Sequence, residues 1–382
     1  MARMREATVF TIGDSRSPST WSNVPYCFTQ ALLARGIRVN QVDLSPLRIP
    51  SALYNGIIWR AIRMASRRST HTYFRSLAHF VDVEHRIKKA VREYPNADAN
   101  IFLTFSHSSA GFAQAPTVQI GDWTYAYYFE HFEEREPDLF EKRSVRREDN
   151  LIEQSDLVIS LFPSVAEHIR ARYTNRNAYY LGNAANSLCE PQEGPVLDRK
   201  SRSSALLFIG SRKYLEGARC LIAAFELLRK ERPDLSLHLV GLSVADFPGL
   251  PAGVTCHGYL DKGVVSDREL YYSLLQSARA IINTTPKWAG FSATLEAMHH
   301  YTPVVLSPYG EFSRMFGTDI AFGRYCADNE PEPLAQAIRA TLEDPSYRSL
   351  CIAANRAARP HTWSGFVDRL LELVDPLIAD GA

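Results

Sequence analysis

Short apolar runs alternate with longer mixed stretches along the whole chain. Ala7 to Ile12 is the first run, closed by Gly13-Asp14 and a Ser/Pro-rich stretch to Ser22, which reads as a strand followed by a loop. From Asn23 the spacing of Tyr26, Leu32, Leu33 and Ala34 suits a helix stopped at Gly36, and Val39 to Leu44 reads as the next strand. Strand, helix, strand in that order is the unit of a parallel sheet. Asn100 to Phe105, Thr117 to Ile120 and Leu157 to Leu161 continue the pattern as buried strands separated by charged, helix-like stretches.

Between Asn186 and Ser204 the chain turns polar, with Pro191, Gly194, Pro195 and a basic run from Arg199 to Arg202. That composition predicts an interdomain linker. A second alternation follows: strand Leu206 to Ile209, helix Cys220 to Arg232, and strands Leu235 to Val240, Thr255 to Gly258, Ala280 to Asn283 and Pro303 to Leu306. The tail from Trp363 to Ile378 carries Phe366, Leu370, Leu373, Val374 and Leu377 on one helical stripe, which needs a surface to cover. The pattern predicts an α/β chain of two doubly wound domains, 1–190 and 203–362, followed by a helix over 363–382. In such sheets ligands bind beyond the carboxyl ends of the strands, here expected to face a common cleft.

At 382 residues the chain has room for two such domains. Its 43 Lys and Arg nearly cancel its 42 Asp and Glu, so no chain-wide field draws it to nucleic acid. Cys27, Cys189, Cys220, Cys256, Cys326 and Cys351 are scattered without a C-x-x-C or a disulfide framework, and no run is apolar enough to span a bilayer. A cytoplasmic location is the expectation. Gly56 to Arg92 is locally basic: Arg60, Arg63, Arg67, Arg68, Arg75, Arg86, Lys88, Lys89 and Arg92 stand against Asp82 and Glu84. Ile58, Ile62 and Ala65 share a helical face there, so peripheral contact with an anionic membrane through residues 60–92 is one expectation and a solvated charged helix the other.

Several chemistries are excluded by absent motifs. No G-x-G-x-x-G follows the first strand, no P-loop is present, and H-E-x-x-H is missing. His299 and His300 are adjacent and point different ways on a helix, so no metal site is expected. No Asp-x-Asp pair is available to hold a diphosphate through a metal ion, which leaves cationic side chains and a helix terminus for that work.

The segment Trp288 to Ser307, WAGFSATLEAMHHYTPVVLS, runs from a glycine loop into a helix whose first turn holds Glu296, then through Thr302-Pro303 into a strand. Free amides at such a helix start bind phosphate, and glycine allows close approach. The alternative is that Glu296 complements the helix dipole. The segment resembles the donor-site signature of the GT4-type retaining glycosyltransferases, a Gly-Phe loop leading into Leu-Glu-Ala-Met and Gly-x-Pro-Val-Val. By that resemblance Gly290, Phe291 and Ser292 line the donor and Glu296 takes the ribose hydroxyls. Trp288 stands where the family carries a second glutamate. Leu206 to Phe225 is similar to the family's diphosphate motif, with Gly210 in the loop and Arg212 and Lys213 as the nearest cations; Ser211 and Glu216 occupy the usual Arg and Lys positions. Gly182-Asn183 resembles the family's hinge, and Gly258-Tyr259 its nucleobase wall.

In the first half, Asp122 follows a strand and is placed to orient or deprotonate an acceptor, or to cap a turn. His107, Gly13 and Asp14 are the other acceptor-side candidates. The resemblance implies a GT-B fold with the C-terminal helix crossing back to the first domain. It also implies transfer from a nucleotide sugar, such as a UDP- or GDP-sugar, to a carbohydrate, lipid-linked or other hydroxyl acceptor, with retention and without a cofactor. A nucleotide-sugar epimerase and a catalytically silent binding module of the same fold are the alternatives.

Overall fold

The protein is described here by a computed structural model covering residues 4–285 and 291–380. It divides into two compact units, residues 1–182 with 366–382, and residues 183–365.

In the first unit β1 (Glu6–Thr11), β2 (Arg38–Asp43), β3 (Ala99–Phe102), β4 (Thr117–Gly121), β5 (Leu157–Ser160) and β6 (Ala178–Tyr180) form a parallel sheet in the order β2-β1-β3-β4-β5-β6. Strands β1, β3, β4 and β5 are buried almost throughout, which is why they read as continuous apolar runs. Phe10 and Phe102 stack with centroids 4.3 Å apart, and Val83, Ile87 and Ala90 of the helix Leu77–Glu93 pack over them. The expected strand from Asn100 to Phe105 ends at Phe102; the chain then crosses to β4 through a long loop. The helix Val24–Leu33 stops as read, with Gly36 in the left-handed region at φ +75°.

The helix Trp363–Asp380 buries Phe366, Val367, Leu370 and Val374. From Phe366 onward its contacts are with the first unit: Phe366 meets Phe28 edge-on, Asp368 pairs with Arg35 at 2.6 Å, and Arg369 Nε donates to the Leu181 carbonyl at 2.8 Å. Among the described residues no helix is long and apolar enough to cross a membrane.

In the second unit β7 (Ala205–Ile209), β8 (Ser236–Val240), β9 (Val254–Gly258), β10 (Ala280–Asn283), β11 (Val304–Leu306) and β12 (Gly323–Tyr325) form another parallel sheet, ordered β12-β11-β10-β7-β8-β9. Leu206, Phe208, Leu237 and Leu239 meet Ala218, Leu221, Phe225 and Leu228 of the helix Leu215–Glu231 in its core. The order reverses between β7 and β10, so a crevice opens beyond their carboxyl ends.

The expected linker is corrected by the structure. Glu193–Ser201 is a helix that buries Val196 and Leu197 against Tyr301 and Cys351, and the boundary between units falls at Gly182/Asn183 rather than at 190. Lys200, inside the basic run read as linker, ties this helix to the unit. Its Nζ is fully buried and donates to the carbonyls of Leu275 and Ala278 and to Thr302 Oγ1, each at 2.8 Å, one acceptor for each ammonium proton.

Burial pulls the Lys200 pKa from its ordinary 10.5 down to about 7. Between those values the unfolded chain binds the proton and the folded chain does not, so stability rises with pH across that window, by up to about 1.4 kcal/mol per pH unit. Urea unfolding at about pH 7 and about pH 9 is expected to show the rise in the wild type and its loss in Lys200→Met. An equal rise in the variant would contradict this assignment.

Candidate functional site

The loop after β7 and the loop after β10 meet at the switch point of the second sheet. Thr285 Oγ1 donates to the Tyr214 carbonyl at 3.4 Å, and a Cβ on Gly217 would lie 2.4 Å from that same Oγ1, so only glycine lets the helix Leu215–Glu231 start this close. Behind them the strand ends are bare backbone. The Gly210 amide donates to Val240 O at 3.0 Å, and the Gly241 amide to Gly258 O at 2.7 Å. Gly241 has φ +89°, and a Cβ there would fall 2.5 Å from Gly210 O. Three of the expected positions, Gly210, Gly258 and Tyr259, thus stand along one edge; Tyr259 is two-thirds exposed.

Arg212 and Lys213 lie in the short turn Arg212–Tyr214 directly after this edge, both exposed. Arg212 Nε reaches Asp246 Oδ1 at 2.5 Å, and Asp246 caps its own turn through the Ser243 amide at 2.8 Å. Those hydrogen bonds, the backbone one first, hold the Asp246 carboxyl below its ordinary pKa. Glu216, standing where the resemblance would put a cation, accepts from Asn329 Nδ2 at 3.4 Å, and Asn329 Oδ1 accepts from Thr284 Oγ1 at 2.6 Å.

The helix Ser292–His299 starts with Phe291 at its N-cap and no side-chain cap, which leaves its first amides for a ligand or water. Phe291 is fully buried, edge-on to Phe312 at 5.6 Å, and Ser292 is half-buried. Gly290 and Trp288 lie outside the described residues. Glu296 stands beyond the first turn, which holds no acid, because the helix begins only at Ser292.

The Glu296 side chain is buried and engaged on both oxygens. Lys262 Nζ donates to Oε1 at 2.7 Å and to Oε2 at 2.6 Å; the Tyr272 hydroxyl adds a bond to Oε1 at 3.2 Å and the Tyr271 hydroxyl one to Oε2 at 2.9 Å. Lys262 also donates to the Asn186 carbonyl at 3.1 Å. Burial first, and then the Glu296 charge, push both tyrosines well above their ordinary pKa, so they remain donors. Neither Lys262 nor the tyrosine pair stands out in the sequence: Lys262 sits in an Asp-Lys-Gly turn, and Tyr271 and Tyr272 read as apolar filling beside Leu274 and Leu275.

The first unit scatters its candidates. Gly13, with φ +106°, follows β1 and donates its amide to Asp43 Oδ1 at 2.9 Å. Asp14 pairs with Arg16 at 3.0 Å, and the Arg16 hydrogen bonds lower its pKa. Asp122 is half-buried after β4, and its carbonyl accepts from Ser160 Oγ at 3.0 Å. The cap of the following turn is Thr124, not Asp122. His107 is buried among Phe74, Phe80 and His79, and burial holds it well below its ordinary pKa. It lines a cavity of about 180 Å³ with Phe80, Glu84 and Gln154. Glu130, His131 and His168 bring a carboxylate oxygen and two ring nitrogens within 4.8 Å of one another, a grouping the sequence concealed because His168 lies on a different helix from the adjacent Glu130 and His131. Glu130 is also taken by Arg172 at 3.0 Å.

Residues 203–344 match the family model of group 1 glycosyl transferases. Over 116 residues the chain is 33% identical to the GDP-mannose-dependent alpha-(1-6)-phosphatidylinositol dimannoside mannosyltransferase of Mycobacterium tuberculosis; the match covers 30% of this chain and 27% of that one. Two solved structures are similar over nearly the whole chain. Sucrose-phosphate synthase from Thermosynechococcus elongatus has a TM-score of 0.66 at 15% identity, covering 98% of this chain and all of that one. WaaG, a glycosyltransferase involved in lipopolysaccharide biosynthesis, has a TM-score of 0.64 at 14% identity, covering 97% and 99%. The likeness shows the fold, a GT-B pair of Rossmann-like α/β units.

Removing the cation from a buried pair leaves an uncompensated charge, at a cost of about 3–5 kcal/mol. Lys262→Met is expected to lose about that much in urea unfolding, and Lys262→Met with Glu296→Leu to recover most of it. A single variant as stable as the wild type would show that the pair does not hold the site together.

Proposed function

We propose that this chain is a glycosyltransferase that moves a sugar from a nucleoside diphosphate sugar to a hydroxyl acceptor, with retention at the anomeric carbon. The observation that carries the reading is the β7/β10 switch point. There a glycine edge, two exposed cations and an uncapped helix start lie on adjoining loops, within the stretch that matches the group 1 family. The curated relative uses GDP-mannose, which supports a nucleotide sugar as donor.

Departure of the nucleoside diphosphate builds negative charge on its β-phosphate. Arg212, Lys213 and the amides of the Ser292 helix start would stabilise that charge, and such fixed donors are worth more there than mobile water. The acceptor hydroxyl attacks from the face the phosphate leaves, and its proton passes to a phosphate oxygen, so neither a protein nucleophile nor a cofactor enters. The family's ribose contact falls to Glu296, whose oxygens would exchange a Lys262 or tyrosine donor for the sugar hydroxyls. Asp122 and the loop at Gly13 and Asp14 are the acceptor-side groups of this reading; His107, buried among Phe74, Phe80 and His79, is not assigned to the acceptor.

Calorimetric titration with a panel of UDP- and GDP-sugars tests the proposal. One of them is expected to bind, and Arg212→Ala with Lys213→Ala to weaken it by about tenfold to a hundredfold, the worth of one charged hydrogen bond, with thermal unfolding little changed because both residues are exposed and the Arg212 pair with Asp246 is a surface one. Binding of none of the panel, or full affinity in the variant, would remove the assignment.

A further inference from the structure

Between Asp43 and Asp82 the sequence contains no acidic residue, while it carries Arg48, Arg60, Arg63, Arg67, Arg68 and Arg75. The first part of this stretch is one helical run: Arg48–Leu53, a π-turn over Tyr54–Ile58, and Trp59–Ala65. Its polarity is inverted. Asn55 turns toward the protein and accepts from the Tyr73 amide at 2.9 Å, Tyr54 packs on Tyr73 and His71, and Ile62 is the one buried aliphatic of the run. Large apolar side chains point outward instead: Ile49 is 74% exposed, Leu53 60%, Ile57 68% and Met64 87%. Ile49, Leu53 and Ile57 recur every fourth residue, and exposed Ala61 and Ala65 extend the stripe. Arg48, Arg60, Arg63 and Arg67 are exposed along the same run, and among the described residues none of them makes an ion pair.

We propose that the face spanning Leu47 to Arg68 docks on an anionic lipid surface, with Ile49, Leu53, Ile57 and Met64 entering the headgroup boundary and the arginines pairing with lipid phosphates. A helix that shows water its apolar stripe, flanked by cations, matches the two terms of interfacial binding. Association of two copies through this face would set arginine against arginine with no acid in the run to offset them, so the charge favours lipid over a second chain. The helix Leu77–Glu93 is a different case. Arg86 pairs with Asp82 at 3.0 Å and donates to the Asp43, Leu44 and Ser45 carbonyls, and Lys88 pairs with Glu84. The membrane contact expected over 60–92 therefore moves to 47–68.

Co-sedimentation of the full chain with vesicles tests this apart from any transferase activity. At moderate salt, vesicles of phosphatidylcholine with about one-third phosphatidylglycerol should bind it at least about tenfold more tightly than phosphatidylcholine alone. Ile57→Glu with Met64→Glu, and separately Arg60→Glu with Arg63→Glu, should each abolish that binding without changing thermal unfolding. Lys89→Glu with Arg92→Glu on the neighbouring helix should leave most of it. Equal binding to both vesicles, no binding, or retention in the Ile57/Met64 variant would overturn the proposal. So would a dimer in sedimentation equilibrium that the same variant dissolves, which would give the face to a second copy.

Discussion

A carboxylate kept from water must be answered by a cation and by hydrogen-bond donors, and in the second unit Glu296 is that carboxylate. Meeting its demand draws together segments distant in sequence. Lys262 comes from the turn after β9, Tyr271 and Tyr272 from the helix Val265–Ser277, and Lys262 continues to the Asn186 carbonyl. Asn186 Oδ1 in turn accepts from Trp363 Nε1 at 2.8 Å, and Ala185 bridges Thr362. The segments at the two ends of this unit, around Asn186 and Trp363, are thereby tied to the helix that opens the candidate site. The arrangement is densely hydrogen-bonded at its base and has no side chains at its edge, where Gly210, Gly241 and Gly258 present backbone alone.

Much of this was legible in sequence because parallel sheets write themselves plainly. Strands buried on both faces read as near-continuous apolar runs, so β1, β3, β4, β5, β7, β10 and β11 announced themselves, and Gly36 announced the end of its helix. The strand β12 did not, since Gly323–Tyr325 is three residues long and half-buried. The helix Glu193–Ser201 was read as linker because Pro, Gly and charged residues surround its two buried aliphatics, Val196 and Leu197, and its third buried residue is a lysine; polar composition carries no sign that backbone carbonyls await an ammonium group.

The site was legible in its positions more than in its partners. The glycine edge, the Arg212 and Lys213 turn and the helix at Ser292 are local in sequence and could be read one segment at a time. The answer to Glu296 is tertiary: a lysine in a turn and two tyrosines on another helix carry no local mark. The same holds for Asp246, which reaches Arg212 from the turn after β8. In the first unit the basic composition was visible, but which face carried it was not. A charge count cannot tell a helix with cations paired to its own acids, as Arg86 and Lys88 are, from one without an acid that turns its apolar stripe to solvent, and only the structure separates residues 77–93 from 47–68.

The central claim is that the second unit holds a nucleoside diphosphate with the Arg212 and Lys213 cations after β7 and the uncapped amides at the start of the Ser292 helix. Amide hydrogen exchange with and without UDP and GDP reads those amides directly. The account predicts that one nucleotide slows exchange over Gly210–Tyr214 and Ser292–Thr294 while β1 to β6 keep their rates. Protection confined to the first unit, or none with either nucleotide at saturating concentration, would contradict it.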